Sequence, residues 1–164
     1  MTEIDKLLKN NIHNIKNPLK RTLSKEPVKK IAILTCMDAR INVYKIFGLC
    51  EGDAHIIRNA GGILSEDVIR SLLISQILLG TREIIIMQHT DCGMLSFTDN
   101  KFNEILDENI GIKATFPLCF FSNIEESIGK SVRQLLNSPY ILYKESIRGF
   151  IYDVKSKRLI EVKV

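Results

Sequence analysis

Ile31-Ala32-Ile33-Leu34-Thr35-Cys36-Met37-Asp38-Ala39-Arg40 is an apolar run that stops at a thiol, a carboxylate and a guanidinium. A short unbroken apolar run with polar flanks is how a strand buried on both faces reads, so residues 30–36 are expected to be a strand of a parallel sheet. Ligands of open α/β sheets bind just beyond the carboxyl ends of the strands, so the polar trio falls where chemistry is placed. If the extended backbone persists, alternation sets Cys36, Asp38 and Arg40 on related sides, and Asp38 and Arg40 can form a charge-assisted pair. A second run repeats the pattern: Ile84-Ile85-Ile86-Met87-Gln88 reads as the core of a strand over 82–88 and leads into His89-Thr90-Asp91-Cys92-Gly93.

Working outward, Asn42 caps a short helix through Phe47 that Gly48 closes. Gly52-Asp53 turns the chain into a second strand, Ala54-His55-Ile56-Ile57-Arg58. The following Asn59-Ala60-Gly61-Gly62 is a tight loop, whose glycines either let backbone amides approach a small ligand or only supply a positive-φ turn. Ser65 caps the next helix, Glu66 and Asp67 favour its first turn, and Val68, Ile69, Leu72, Leu73, Ile77 and Leu78 give it an apolar surface up to Gly80. The alternation of strand and helix implies right-handed crossovers and a parallel sheet. Beyond Gly93 the pattern is helical around Thr98 to Leu106 and loosens through Gly111 and Pro117. Ser122 and Glu125 have the spacing of a capping box and open a helix to about Asn137, which Pro139 ends. Ile147 to Val154 and Arg158 to Val164, around a Lys155-Ser156-Lys157 turn, are expected as strands at a sheet edge.

At the other end, Ile4, Leu7, Leu8, Ile12 and Ile15 form one helical stripe over residues 2–16, with Thr2 as cap and Pro18 as stop. The basic, aperiodic stretch after it sets this helix off as an arm, and a second subunit is one surface for it to pack on. The expected fold class is α/β: a mostly parallel central sheet flanked by helices, with an N-terminal helical arm over 1–28, a core over 29–164 and C-terminal edge strands.

The chain's 164 residues fit one domain, and 45% hydrophobic with 26% charged residues is the balance of an ordinary globular protein. No apolar stretch approaches the ~20 residues of a membrane helix. Met1-Thr2-Glu3-Ile4-Asp5-Lys6 and Lys9-Asn10-Asn11 interrupt any apolar leader, so the expected compartment is the cytoplasm. A net charge of +4 from scattered residues gives little reason to expect nucleic acid, and the basic run from Lys16 to Lys30 reads as a solvated face. Four cysteines, at 36, 50, 92 and 119, lack the spacing of a disulfide scaffold and are thiols or metal ligands.

Cys36, His89 and Cys92 supply the three ligands of a catalytic zinc site, which keeps a fourth position for water or substrate. A structural zinc site wants four closed ligands, and paired C-x-x-C knuckles are lacking. Cys50 is expected to be a small core residue and His55 a satisfied structural histidine more than a proton carrier.

Together, Cys36-Met37-Asp38-Ala39-Arg40, Arg58-Asn59-Ala60-Gly61-Gly62 and His89-Thr90-Asp91-Cys92-Gly93 resemble the three signature blocks of β-class carbonic anhydrases, closest to the short prokaryotic branch. The resemblance extends through Ser122 to Ser127 and Arg148 to Val154. Gln88, where a second His or a Gly is expected, and Cys119, in a segment usually plainly apolar, depart from the pattern. The resemblance implies reversible hydration of carbon dioxide to bicarbonate by attack of zinc-bound hydroxide, with Cys36, His89 and Cys92 as zinc ligands. It implies that Asp38 either pairs with Arg40, where the two serve catalysis, or closes the site as a fourth ligand. Ala60, Gly61 and Gly62 would line the substrate pocket. It also implies a homodimer or homotetramer clasped by the arm. Relatives acting on carbonyl sulfide or carbon disulfide leave that hydrolysis as an alternative, and a zinc-binding or bicarbonate-sensing module is the non-enzymatic one.

Overall fold

The computed structural model describes residues 22–164; the helix expected at 2–16 lies outside them. The apolar runs do form strands, β1 (Ile31–Cys36), β2 (Ala54–Asn59), β3 (Glu83–His89) and β4 (Ile147–Tyr152), all parallel, and β5 (Leu159–Val162) returns antiparallel. Their order is β2-β1-β3-β4-β5. The chain therefore leaves β1 toward one side for β2 and crosses to the other side for β3. That reversal opens a crevice between the carboxyl ends of β1 and β3. Cys36 ends β1 and His89 ends β3, so both stand at the crevice.

Four helices connect the strands: α1 (Val43–Phe47), α2 (Glu66–Leu79), α3 (Asp99–Ile110) and α4 (Ile124–Asn137). Their ends follow local chemistry. The Asn42 side chain accepts from the Lys45 amide and Gly48 closes α1 in the left-handed region; Ser65 and Gly80 do the same for α2. The cap of α4 is one residue later than the S-x-x-E pattern indicates. Asn123 accepts from the Glu126 amide, and Asn serves this position as well as Ser does, so the capping box yields to its neighbour.

Strand alternation splits the core in two. Ala32, Leu34, Ile84, Ile86, Ile147 and Ile151 face α2 and α4, where they meet Val68, Leu72, Ile128, Val132 and Leu135. Ile33 and Met87 face the other way, with Ile41 and Val43 at the start of α1. Because both faces are covered along β1 and β3, these strands carry no polar alternation until their ends. The expectation that both C-terminal strands lie at the sheet edge is corrected: β4 is interior, between β3 and β5, and only β5 is the edge. The parallel partner of β4 is over fifty residues upstream, which local pattern cannot reveal. At Gly149 of β4 a Cβ would collide with the Ile128 side chain, so the missing side chain is what lets α4 lie close on the sheet.

Candidate metal centre

Strand geometry stops at Cys36, and a turn follows, so alternation is not what pairs Asp38 with Arg40. Asp38 Oδ1 accepts from the Arg40 backbone amide at 2.8 Å and from Arg40 Nε at 3.0 Å, and Oδ2 accepts from Nη2 at 2.8 Å. The carboxylate thus closes the turn on its own chain and receives the guanidinium fork. Arg58 on β2 stitches the turn down, donating from Nε to the Cys36 carbonyl at 3.0 Å and from Nη2 to the Asp38 carbonyl at 2.8 Å.

Beside the turn, Gly62 packs on the end of β1. Its φ of 62° favours glycine, and a Cβ there would stand 2.9 Å from the Thr35 carbonyl carbon. This brings the Ala60-Gly61-Gly62 turn against the end of β1, beside Cys36. The Asn59 side chain holds the turn closed, exchanging hydrogen bonds of 2.8 Å with the Ile63 amide and carbonyl.

His89 at the end of β3 is wholly buried. Its Nδ1 lies 2.9 Å from the Thr90 carbonyl, which can only accept, so in the neutral ring Nδ1 carries the proton and Nε2 the lone pair. Nε2 has no hydrogen-bond partner among the described residues. The Cys36 and Cys92 sulfurs are 3.8 Å apart, and these two with a His89 ring nitrogen all lie within 4.8 Å of one another. Two buried thiols around an orphaned imidazole nitrogen are a donor set for a borderline-soft cation, and the trio can hold a metal ion.

The electrostatics make Cys36 the readiest donor, while a proton competes for Cys92 and His89. The Cys36 thiol is pushed down to about 4 by a hydrogen bond from Cys92, against its burial, with His89 and the Asp38 and Gly61 amides helping. Cys92 is pushed up, first by that same bond and then by burial, so the pair loses one proton readily and keeps the other. For His89, burial works against the charged form, but Cys36, the Thr90 carbonyl and Asp38 outweigh it. Arg40 holds the Asp38 carboxyl well below the usual carboxylate range. Asp38 is close to the trio, Oδ2 lying 3.7 Å from His89 Nε2, yet it is engaged with arginine.

The structure therefore gathers Cys36, Asp38, Arg40, Gly61, Gly62, His89 and Cys92 in one place. Cys50 is corrected: it is exposed after α1 and no part of the core, its neighbour Leu49 being the one that packs inward. Cys119 is exposed as well. His55 is structural, its ring nitrogens bonded to Ser75 Oγ at 2.7 Å and the Lys25 carbonyl at 3.2 Å. Gln88 points away from the site and donates to Ser127 Oγ on α4. Sequence reasoning gave Asp91 no role, although Arg40 Nη1 donates to its carboxylate at 2.7 Å and Nη2 to its carbonyl at 2.8 Å. The one signal was its place between the two ligand candidates.

A family model described as carbonic anhydrase matches residues 31–115, and β-carbonic anhydrase 1 of Mycobacterium tuberculosis is 46% identical over 99% of both chains. The chain belongs to the β-carbonic anhydrase family. Its backbone is similar to that of carbonic anhydrase from Streptococcus mutans, with a TM-score of 0.93 at 42% identity over 99% of each chain. A more distant relative, carbon disulfide hydrolase of an Acidianus strain, is 36% identical, with 80% of this chain against 76% of that one. As the β-carbonic anhydrase reading requires, the fold is a mostly parallel sheet flanked by helices. Among the described residues no helix is long and apolar enough to cross a membrane.

Proposed function

We propose that this protein catalyses the reversible hydration of carbon dioxide to bicarbonate, with zinc held by Cys36, His89 and Cys92. The observation that carries the reading is a three-donor set whose neighbouring carboxylate is turned to Arg40 and does not complete a fourth ligand. When bound, zinc supplies the Lewis acidity that makes a water a competent nucleophile near neutral pH. The remaining work belongs to the chain. Cys36 and Cys92 bind as thiolates and offset the charge of the metal, and the Thr90 carbonyl fixes the His89 tautomer that binds through Nε2. Asp38, kept ionised by Arg40, can only accept a hydrogen bond, so it orients the attacking water and leaves a lone pair toward the substrate carbon. Ala60, Gly61 and Gly62 would line the substrate pocket, and Met94 and Phe121 pack where a Gly61 side chain would stand.

In this reading residues 29–164 form the zinc-binding core, and residues 1–28 are an arm that clasps a second copy in a cytoplasmic homodimer or homotetramer. Sedimentation of the full chain against one lacking residues 2–16 tests the arm; a monomeric full-length protein would remove it. Stopped-flow hydration of carbon dioxide by metal-analysed protein tests the activity. The carbon disulfide hydrolase relative favours one competitor, so a sulfide-release assay runs beside it. Hydration at one zinc per chain is expected; sulfide release without hydration would overturn the assignment.

A further inference from the structure

Arg40 lies between two carboxylates, and the reaction described uses only one of them. We propose that Asp91 is a positioning residue, which anchors the outer edge of the Arg40 guanidinium so that Arg40 holds Asp38 away from the metal trio. The proposal rests on the reading of Cys36, His89 and Cys92 as metal ligands.

The donor geometry carries it. Arg40 Nε and Nη2 serve the Asp38 carboxylate, Nη1 donates to Asp91 Oδ2 at 2.7 Å, and Nη2 donates also to the Asp91 carbonyl at 2.8 Å. A guanidinium has five N–H groups, so the two acids draw on different donors and both can be satisfied together. Burial does not fix Arg40, whose side chain is 49% exposed. A half-exposed arginine pairing with Asp38 alone would have to surrender its rotamer freedom to that pair. The Asp91 contacts impose the restraint in advance, and pre-organisation of this kind strengthens the remaining interaction.

Asp91 is suited to this by its backbone. It has a φ of 56°, a left-handed conformation that Asp and Asn adopt more readily than other side chains. It also lies between His89 and Cys92, so one loop carries two ligands and the anchor, and Arg40 is registered against the trio itself. The consequence of losing the anchor follows from a distance: Asp38 Oδ2 is already 3.7 Å from His89 Nε2. A carboxylate freed from the fork can take up the fourth position of the metal.

Asp91→Asn tests this, since it removes the charge while tolerating the backbone conformation; Asp91→Gly is the second variant should the first not fold. Arginine Nε–H resonances of the apo protein read the anchor without metal. The Arg40 signal, identified by its loss in Arg40→Ala, should be slow to exchange in wild type and exchange on the order of tenfold faster in the variant. Zinc release to a chelator reads the consequence: Asp91→Asn should slow it on the order of tenfold, and the same change in an Asp38→Ala background should do nothing. An unaltered Arg40 resonance, unchanged release, or an equal change in both backgrounds would overturn the proposal, the last because it would mean action through the Cys92 loop. A wild type that binds no zinc would overturn the ligand reading beneath it, whereas bound zinc without coupling to Asp38 would overturn the role of Asp91 alone.

Discussion

Two arginine–carboxylate forks in this protein use the same chemistry in different places. Arg148 on β4 reaches Glu161 on β5 with Nε–Oε1 at 2.6 Å and Nη2–Oε2 at 2.7 Å, tighter contacts than those between Arg40 and Asp38. Both partners of the β4–β5 pair are about half exposed, and water competes for them. Asp38 is only 19% exposed and borders a fully buried histidine. The difference teaches that bond length does not rank these pairs. What ranks them is which group would be left without a partner, or with a wrong one, if the fork opened.

The comparison can be broken at several levels. The largest effect belongs to the trio that the first fork borders. His89→Ala or Cys92→Ser should abolish stoichiometric zinc and reduce hydration to the buffer rate, by metal analysis and stopped flow; full zinc retention would detach that residue from the site. Next, Arg40→Ala should retain zinc and lose on the order of 10²-fold or more in kcat, because Asp38 is then free to close the site. An Arg148→Ala protein with a comparable loss would erase the distinction between the forks. Beside the second fork, packing should matter more than charge. Gly149→Ala presses on Ile128 and should destabilise by about 1–3 kcal/mol in urea denaturation, with the slope unchanged.

The smallest effect is that of Arg148→Ala on melting temperature. Arg148 holds the Glu161 carboxyl below its ordinary 4.5, so the pair contributes fully above that value and loses its contribution as pH falls through the lowered one. The slight difference between wild type and variant at neutral pH should therefore vanish in acid. Asp38 is lowered in the same sense, so its pairing with Arg40 also persists through neutral pH and fails only in strong acid. Melting curves of wild type and Arg148→Ala that diverge as pH falls would contradict the sign for Glu161.

Much of this arrangement was legible beforehand, for physical reasons. β1 and β3 announce themselves because strands covered on both faces must be apolar throughout, and α1 and α2 because Asn42, Ser65, Gly48 and Gly80 satisfy helix ends locally. Cys36, His89 and Cys92 were legible as a trio because few residue types bind a soft cation and these close two strands. What escaped depends on dihedrals and distant partners. Asp91 reaches Arg40 through a left-handed residue, and Arg58 and Thr90 act on or through backbone carbonyls, which leave no trace in residue type. Ser122 is displaced as cap by a single residue, because Asn and Ser serve that position almost equally well, and the exposure of Cys50 depends on packing that its residue type does not signal.

The strand order also bears on how the protein is made. Both neighbours of β1 come after it in the chain, so as synthesis proceeds Cys36 emerges and waits while β2 and then β3 are completed on either side. Parallel pairing across such long crossovers has a high contact order and forms slowly. Until it forms, Cys36 is remote from the His89–Cys92 loop, and a metal ion can find only part of its cage. In the proposed reading, metal capture is thus a late staple across β1 and β3, closing a long loop that the sheet has already drawn together. Whatever delivers the ion in a cell has to meet a nearly finished fold, and thiols that wait so long in the open are exposed to oxidants before they are shielded by it.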